Sequence, residues 1–339
     1  SNPIQVLKYA LADTKHYVME LDLESGEDEE VYSFEVPKVN GYATVNAAAV
    51  YDAGHGLFYP FANVNDELCV FGADDMTCIG TLNVGSASSG AIIGDAYYYA
   101  CATCGTANVG PQWIYSVFGI AGDAPHFSEK SDLILRLRQT LWNGGNSKGN
   151  IYDLAPFVEY GDDIVADGDA YGSYLLGLNP GVDRLVVVKI DDATGQAGSY
   201  AVVPVETDWN GMTPPSGWAT RDGRASPFGA AFTYQTDDSD RVFFTSNDAW
   251  GLFELDLPIA INEDCWNEGT VASAHVLCQS GPGAWITYRM KSAETYYNDG
   301  MNCHPYAVDI PETKSPAAAF RPSTSPVPTA VPTTAAPSD

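Results

Sequence analysis

Helical periodicity is nearly missing from this chain. The best amphipathic stretch, SDLILRLRQT at 131–140, places Leu133, Leu135 and Leu137 in alternation, which reads as strand rather than helix. Basic residues are scarce too: 16 Lys and Arg stand against 44 Asp and Glu, a formal net charge of −28. That balance excludes nucleic acid and anionic membrane surfaces as partners and favours cations, calcium among them. No apolar run reaches the ~18 residues of a membrane helix, so no membrane insertion is expected. No secretory leader is expected at its start, and Ser1 is not a clue to processing. The sequence has no N-x-Ser/Thr sequon, so any glycan must be O-linked. It also has no HExxH, no GxGxxG and no phosphate loop, and GSASSG at 85–90 misses the spacing of a nucleophile elbow. His16, His55, His126, His275 and His304 stand apart from one another and are expected as surface or satisfied loop residues. Enzymatic activity is not expected.

What the chain does have is strand. Short β-rich runs alternate with Gly, Asp and Asn turns, the pattern of an all-β sandwich, barrel or propeller. One phrase recurs: a small-residue strand, a turn, then an aromatic strand. It appears as AAAVYDAGHGLFYP at 47–60, GAIIGDAYYYA at 90–100, DAYGSYLLGL at 169–178 and GAAFTYQTDDSDRVFFT at 229–245. Each is followed by an alternating apolar strand, often ending in an acidic turn, as in RLVVVKIDDATGQ at 184–196 and WGLFELDLP at 250–258. Asp192–Gly195 suits a hairpin turn with Gly at positive φ. Small residues in the first strand suit a propeller, whose inner strands converge on an axis. A propeller domain over residues 1–312 is therefore expected, with six blades (six or seven) at ~40–50 residues each. The spacing between Gly90 and Asp169 is irregular and leaves room for an extra blade or a long loop. A pair of β-sandwiches is the alternative fold.

The cysteines are expected in disulfides. No His stands at zinc spacing from a Cys pair, and an oxidising compartment fits better than a structural metal. Cys69 and Cys78 flank the turn-like FGADDMT, which predicts a bridge across a hairpin. Cys101 and Cys104 lie in a Gly/Thr loop with no βαβ pattern around them, which favours a local structural disulfide over a redox pair. Cys265, Cys278 and Cys303 leave one thiol over.

Acidic clusters are the site-like feature. Asp167 and Asp169, and Asp237 with Asp240, are candidate calcium ligands, because clustered carboxylates on bent loops supply the six to eight oxygens this ion takes. Neither cluster has EF-hand spacing, and a solvated turn is the plainer reading. Trp209, Trp218, Tyr296 and Tyr297 fall in loop-like stretches, where aromatics either stack on sugars or pack blades.

The end of the chain is different in kind. Residues 313–339 form a tail rich in Pro, Ser, Thr and Ala, with Pro at 316, 322, 326, 328, 332 and 337. Proline fixes φ and removes donors, so the tail favours an extended polyproline rod. A free rod of this kind keeps no fixed path unless a neighbouring subunit, a coat of sugar or a groove holds it. Its composition is that of an O-glycosylated stalk, with Ser315, Ser323, Thr324, Ser325, Thr329, Thr333, Thr334 and Ser338 as acceptors.

The run FGAAFTYQTDDSDRVFFTSNDAWGLFELDLP at 228–258 and the close YNDGMNC at 297–303 resemble an uncharacterised six-bladed propeller family of secreted and cell-surface adhesin-like proteins. The resemblance implies an extracellular propeller attached to a stalk. It carries no established chemistry, so no catalytic residue follows from it. Three functions are thus expected in turn: a subunit of an extracellular glycosylated filament or coat, polymerising with copies of itself through the tail; a stalk-displayed adhesin or lectin gripping carbohydrate or protein; and, last, a calcium-dependent propeller hydrolase.

Overall fold

The computed structural model describes residues 4–9, 15–22, 28–36, 45–52, 58–72, 76–85, 87–101, 113–129, 135–136, 154–159, 164, 172–178, 184–191, 194–195, 197–215, 228–235, 240–246, 250–259, 261–268, 278, 283–291 and 297–301. Among these the regular structure is strand, apart from one short 3-10 turn at Glu263–Cys265.

The strands form four-stranded antiparallel units. The first holds β1 (Ile4–Tyr9), β2 (Lys15–Leu21) and β3 (Asp28–Glu35), and the second β4 (Val45–Asp52), β5 (Phe58–Val64), β6 (Glu67–Phe71) and β7 (Met76–Thr81). The third holds β8 (Ala87–Ile93), β9 (Ala96–Cys101), β10 (Trp113–Phe118) and β11 (His126–Phe127), with β12 (Leu135–Arg136) also on β10. The fourth is β13 (Ala155–Glu159), β14 (Gly172–Leu178), β15 (Arg184–Ile190) and β16 (Ala197–Asp208). The fifth is β17 (Phe228–Gln235), β18 (Asp240–Ser246), β19 (Leu252–Leu255) and β21 (Ala284–Met290); the two-residue β20 (Asn267–Glu268) pairs with β16. The last strand, β22 (Tyr297–Met301), returns to the beginning and pairs antiparallel with β1, Gln5 opposite Met301 and Tyr9 opposite Tyr297.

The leading strand of each unit touches the next in a cycle: β22 with β4, β4 with β8, β8 with β13, β13 with β17, and β17 with β22. The architecture is all-β and propeller-like. The described strands fall into five such units. The 113–118 strand opens no unit of its own: β10 pairs with β9 over Cys101 to Ala96 within the third.

The third and fourth units are covered on both faces, which explains why β9 and β15 read as continuous apolar runs. In β15, Leu185 and Val187 enter the core shared with the fifth unit, while Val186, Val188 and Ile190 enter the core shared with the third. β9 does the same with AYYYAC: Tyr97, Tyr99 and Cys101 face the second unit, and Ala96, Tyr98 and Ala100 the fourth. The tyrosine hydroxyls escape burial without partners by donating to backbone carbonyls, Tyr97 to Ala47 at 2.6 Å and Tyr98 to Gly195 at 3.0 Å.

Three of the small-residue strands, β4, β8 and β17, lead their units; in the 169–178 phrase the described strand is β14, second behind β13. A Cβ on Gly90 of β8 would collide with the Ala47 carbonyl oxygen of β4. Ala47 itself lies at φ 60°, within a bulge between Asn46 and Ala49, and the Asn46 side chain accepts its N–H at 2.9 Å. Similar register shifts interrupt β8 and β17 near their starts. The expected turn at 192–195 closes with Gly195 at φ 67° and its N–H donated to Asp191 at 2.7 Å.

Candidate functional site

Most residues singled out from sequence fall outside the described set. That is so for Asp167, Asp169 and Asp237, for Cys104 and Cys303, and for the whole tail with its eight acceptors, Ser315, Ser323, Thr324, Ser325, Thr329, Thr333, Thr334 and Ser338. Asp240 is the first residue of β18, opposite Gln235 across the β17–β18 hairpin. Among the described residues no group of three or more His, Cys, Asp or Glu could hold a metal.

The cysteine expectations are better placed. Cys69 and Cys78 stand opposite each other in β6 and β7 and are bonded. Cys265 and Cys278 also form a disulfide, which pairs two of the three residues that sequence left open. Cys101 is disulfide-bonded as well, with its partner outside the described residues. No helix among the described residues is long and apolar enough to cross a membrane. His16 is buried and stacked on Phe34 at 5.7 Å, while His126 is exposed on β11.

Trp209 was an aromatic to watch, and the structure makes it packing. Its ring lies edge-on to Phe253 at 5.3 Å and stacks on Tyr288 at 5.6 Å. The exposed aromatic is Trp285, at 41%. Among the aromatic side chains whose burial is described, the others are buried or half-buried.

Trp285 belongs to a polar ledge on the outer part of the fifth unit. β21 reads AWITYRM, and its alternation sorts the side chains: Ala284, Ile286 and Tyr288 turn to the core, Trp285, Thr287 and Arg289 to the other face. On that face Glu254 of β19 is buried and receives three charge-assisted hydrogen bonds. Arg241 of β18 grips it with both prongs, Nε to Oε1 at 2.6 Å and Nη2 to Oε2 at 2.7 Å, and Arg289 adds Nε to Oε2 at 2.6 Å. Burial pushes the Glu254 carboxyl up, but hydrogen bonds and charge from Arg241, joined by Arg289, outweigh it and hold the group below its ordinary range. Beside it the Thr287 hydroxyl donates to the Asp256 carboxylate at 2.9–3.0 Å. Parallel pairing of β16 with β21 sets Glu206 opposite Trp285 and Asp208 opposite Thr287. Sequence reasoning missed this ledge, although the alternation in WITYRM and the polar members of DRVFF and LFEL were visible signals.

The ledge can bind without covalent chemistry: a flat indole, fixed guanidinium groups and a surplus of carboxylates. No family model and no curated protein matches the chain. Among solved structures it is similar to a "putative 6-phosphogluconolactonase" from Bacteroides fragilis NCTC 9343, with 13% identity and a TM-score of 0.30 over 83% of this chain and 70% of that one.

Proposed function

We propose that this chain is a head-and-stalk subunit of an extracellular glycosylated filament or surface coat. The head is a five-bladed propeller closed by β22. The stalk is the Pro-rich tail from residue 313, carrying O-glycans and lying along a neighbouring copy. One observation carries the reading. The strand that closes the ring, β22, ends at Met301, and the Pro-rich segment follows soon after it in sequence, from residue 313. Two disulfides, one across β6 and β7 and one within the segment between β19 and β21, support residence in an oxidising compartment. The acidic surplus keeps heads apart, so contacts between copies fall to the tail. Head-to-tail contacts that do not close produce fibres. Periodic-acid staining of the native protein on a denaturing gel, with electron microscopy of the same material, tests this. Stained bands and beaded fibres are expected; sugar-free compact monomers refute it.

A stalk-displayed adhesin is the second reading, favoured by exposed Trp285. It would use calcium at the Asp167/Asp169 or Asp237/Asp240 turns. A glycan array run with calcium and with chelator separates the two: calcium-dependent binding to one glycan class selects the adhesin.

A further inference from the structure

We propose that the Trp285 ledge is the docking site for the Pro-rich tail, residues 313–339, of a neighbouring copy of this chain. The inference rests on the filament reading and names the surface that reading leaves blank.

Three observations point to this occupant. The first is the platform: Trp285 is exposed and stands on β21, held between β16 and β19. Extended proline-rich segments dock on exposed aromatic surfaces because their polyproline conformation is already formed and little entropy is lost. The second is charge. Glu254 is answered by Arg241 and Arg289, which leaves Glu206, Asp208 and Asp256 to give the ledge its acidic sign. The tail is the complementary segment: Lys314 and Arg321 are its cations against Asp339 alone, in a chain whose net charge is −28. The third is local sequence. Phe320-Arg321-Pro322 sets a guanidinium beside a proline ring, and both stack on an indole face, the guanidinium by cation–π attraction. A glycan would use the indole equally well but gains nothing from the surrounding carboxylates as cation partners.

The test uses the full-length chain. Protein carrying p-benzoyl-phenylalanine in place of Trp285 is mixed with nitrogen-15-labelled wild-type protein and irradiated, and crosslinked peptides are read by mass spectrometry. Unlabelled position 285 joined to labelled peptides from 313–339 is the expected result. Crosslinks confined to one copy, or to any other segment, overturn the proposal. A second variant guards against misfolding at 285: Glu206→Lys with Asp208→Lys, both exposed, is expected to raise the concentration at which the chain self-associates by about tenfold in low salt, as loss of a charged rim weakens an acidic–basic contact. Unchanged sedimentation would overturn the assignment, as would glycan-array binding that Trp285→Ala abolishes while self-association stays intact. If native material holds no fibres, the filament reading fails by itself, whereas the crosslink still reports whether tail and ledge meet.

Discussion

Two seams of the ring are built differently. Between the fourth and fifth units the sheets merge: β16 runs past the end of its partner β15 and its last residues pair in parallel with β21, Val205 opposite Ala284 through Asp208 opposite Thr287. The segment between β19 and β21 crosses the same seam. Ile261 donates to the Ile164 carbonyl at 2.8 Å, Cys278 to Val202 at 3.0 Å, and the Cys265–Cys278 bond closes the loop. The core beneath runs from Ala155 to Ile286 and takes in Phe244, Phe253 and Leu255. On its other face the fifth unit shows a small cluster, Phe232, Phe243 and Leu252, and then turns polar at Glu254 and its arginines. The ring is therefore welded at one seam and closed by a single returned strand at the next. Stability and adaptability are divided between neighbouring faces of one sheet.

The sharpest way to break this comparison uses two adjacent residues. Phe243 and Phe244 follow each other on β18, both fully buried, one on each face. Truncating a phenylalanine in a dense core costs about 3–5 kcal/mol, and less where the surroundings collapse into the gap. Phe244→Ala is expected to cost about 4 kcal/mol and Phe243→Ala about 1–2 kcal/mol less, measured by urea unfolding. Equal losses would show that the two faces are equally rigid and remove the distinction.

The disulfide gives the next effect. Cys265 and Cys278 are separated by 13 positions, and closing a loop of that size constrains the unfolded chain by about 3 kcal/mol. Replacing both by Ala should lower stability by about that amount. It should also speed amide exchange at Ile261 and Cys278, whose N–H groups are the stitches across the weld. The Cys69–Cys78 bond joins paired strands within the second unit, with a separation of 9. Its removal should leave those two amides as slow as before. Faster exchange there would mean that the weld depends on the whole ring rather than on its own loop.

Much of this architecture was legible from residues alone. The AYYYAC, LVVV and AAAV runs carry the two-sided burial of the second, third and fourth units, and Gly90 carries the crowding where β8 meets β4. The welded seam was not legible, because it arises from which strand edge lies free. Pro204 sits where β16 leaves β15 and takes up β21, a junction that tolerates a residue without an N–H. Nothing local announces that Ala284, 79 positions beyond Val205, will supply the new partner, since strands near in sequence pair by default. Composition marks strands but not which unit they join, as β10 demonstrates. The ledge escaped notice for a related reason: Trp285 looks like any strand aromatic until its register with Glu206 places it outward.

The smallest expected effect lies on the polar face. Glu254 has its folded-state pKa held down, so its contribution is present above the unfolded carboxylate range and is lost as pH falls through the lowered folded value. Arg241 and Arg289 are 36% and 39% exposed, so solvent screens much of their attraction. Glu254→Gln should cost about 2 kcal/mol at pH 7, the scale of hydrogen bonds to a charged acceptor. The cost should stay level down to about pH 5, then shrink steadily toward pH 3 as the wild-type carboxylate takes up its proton. Comparing the two proteins at each pH cancels the common load of other acids, which otherwise dominates a chain with 44 of them. A difference that does not change with pH would mean that Gln fails there through shape rather than charge. The face would then be a packed surface like its neighbour, and the contrast between the seams would reduce to the weld alone.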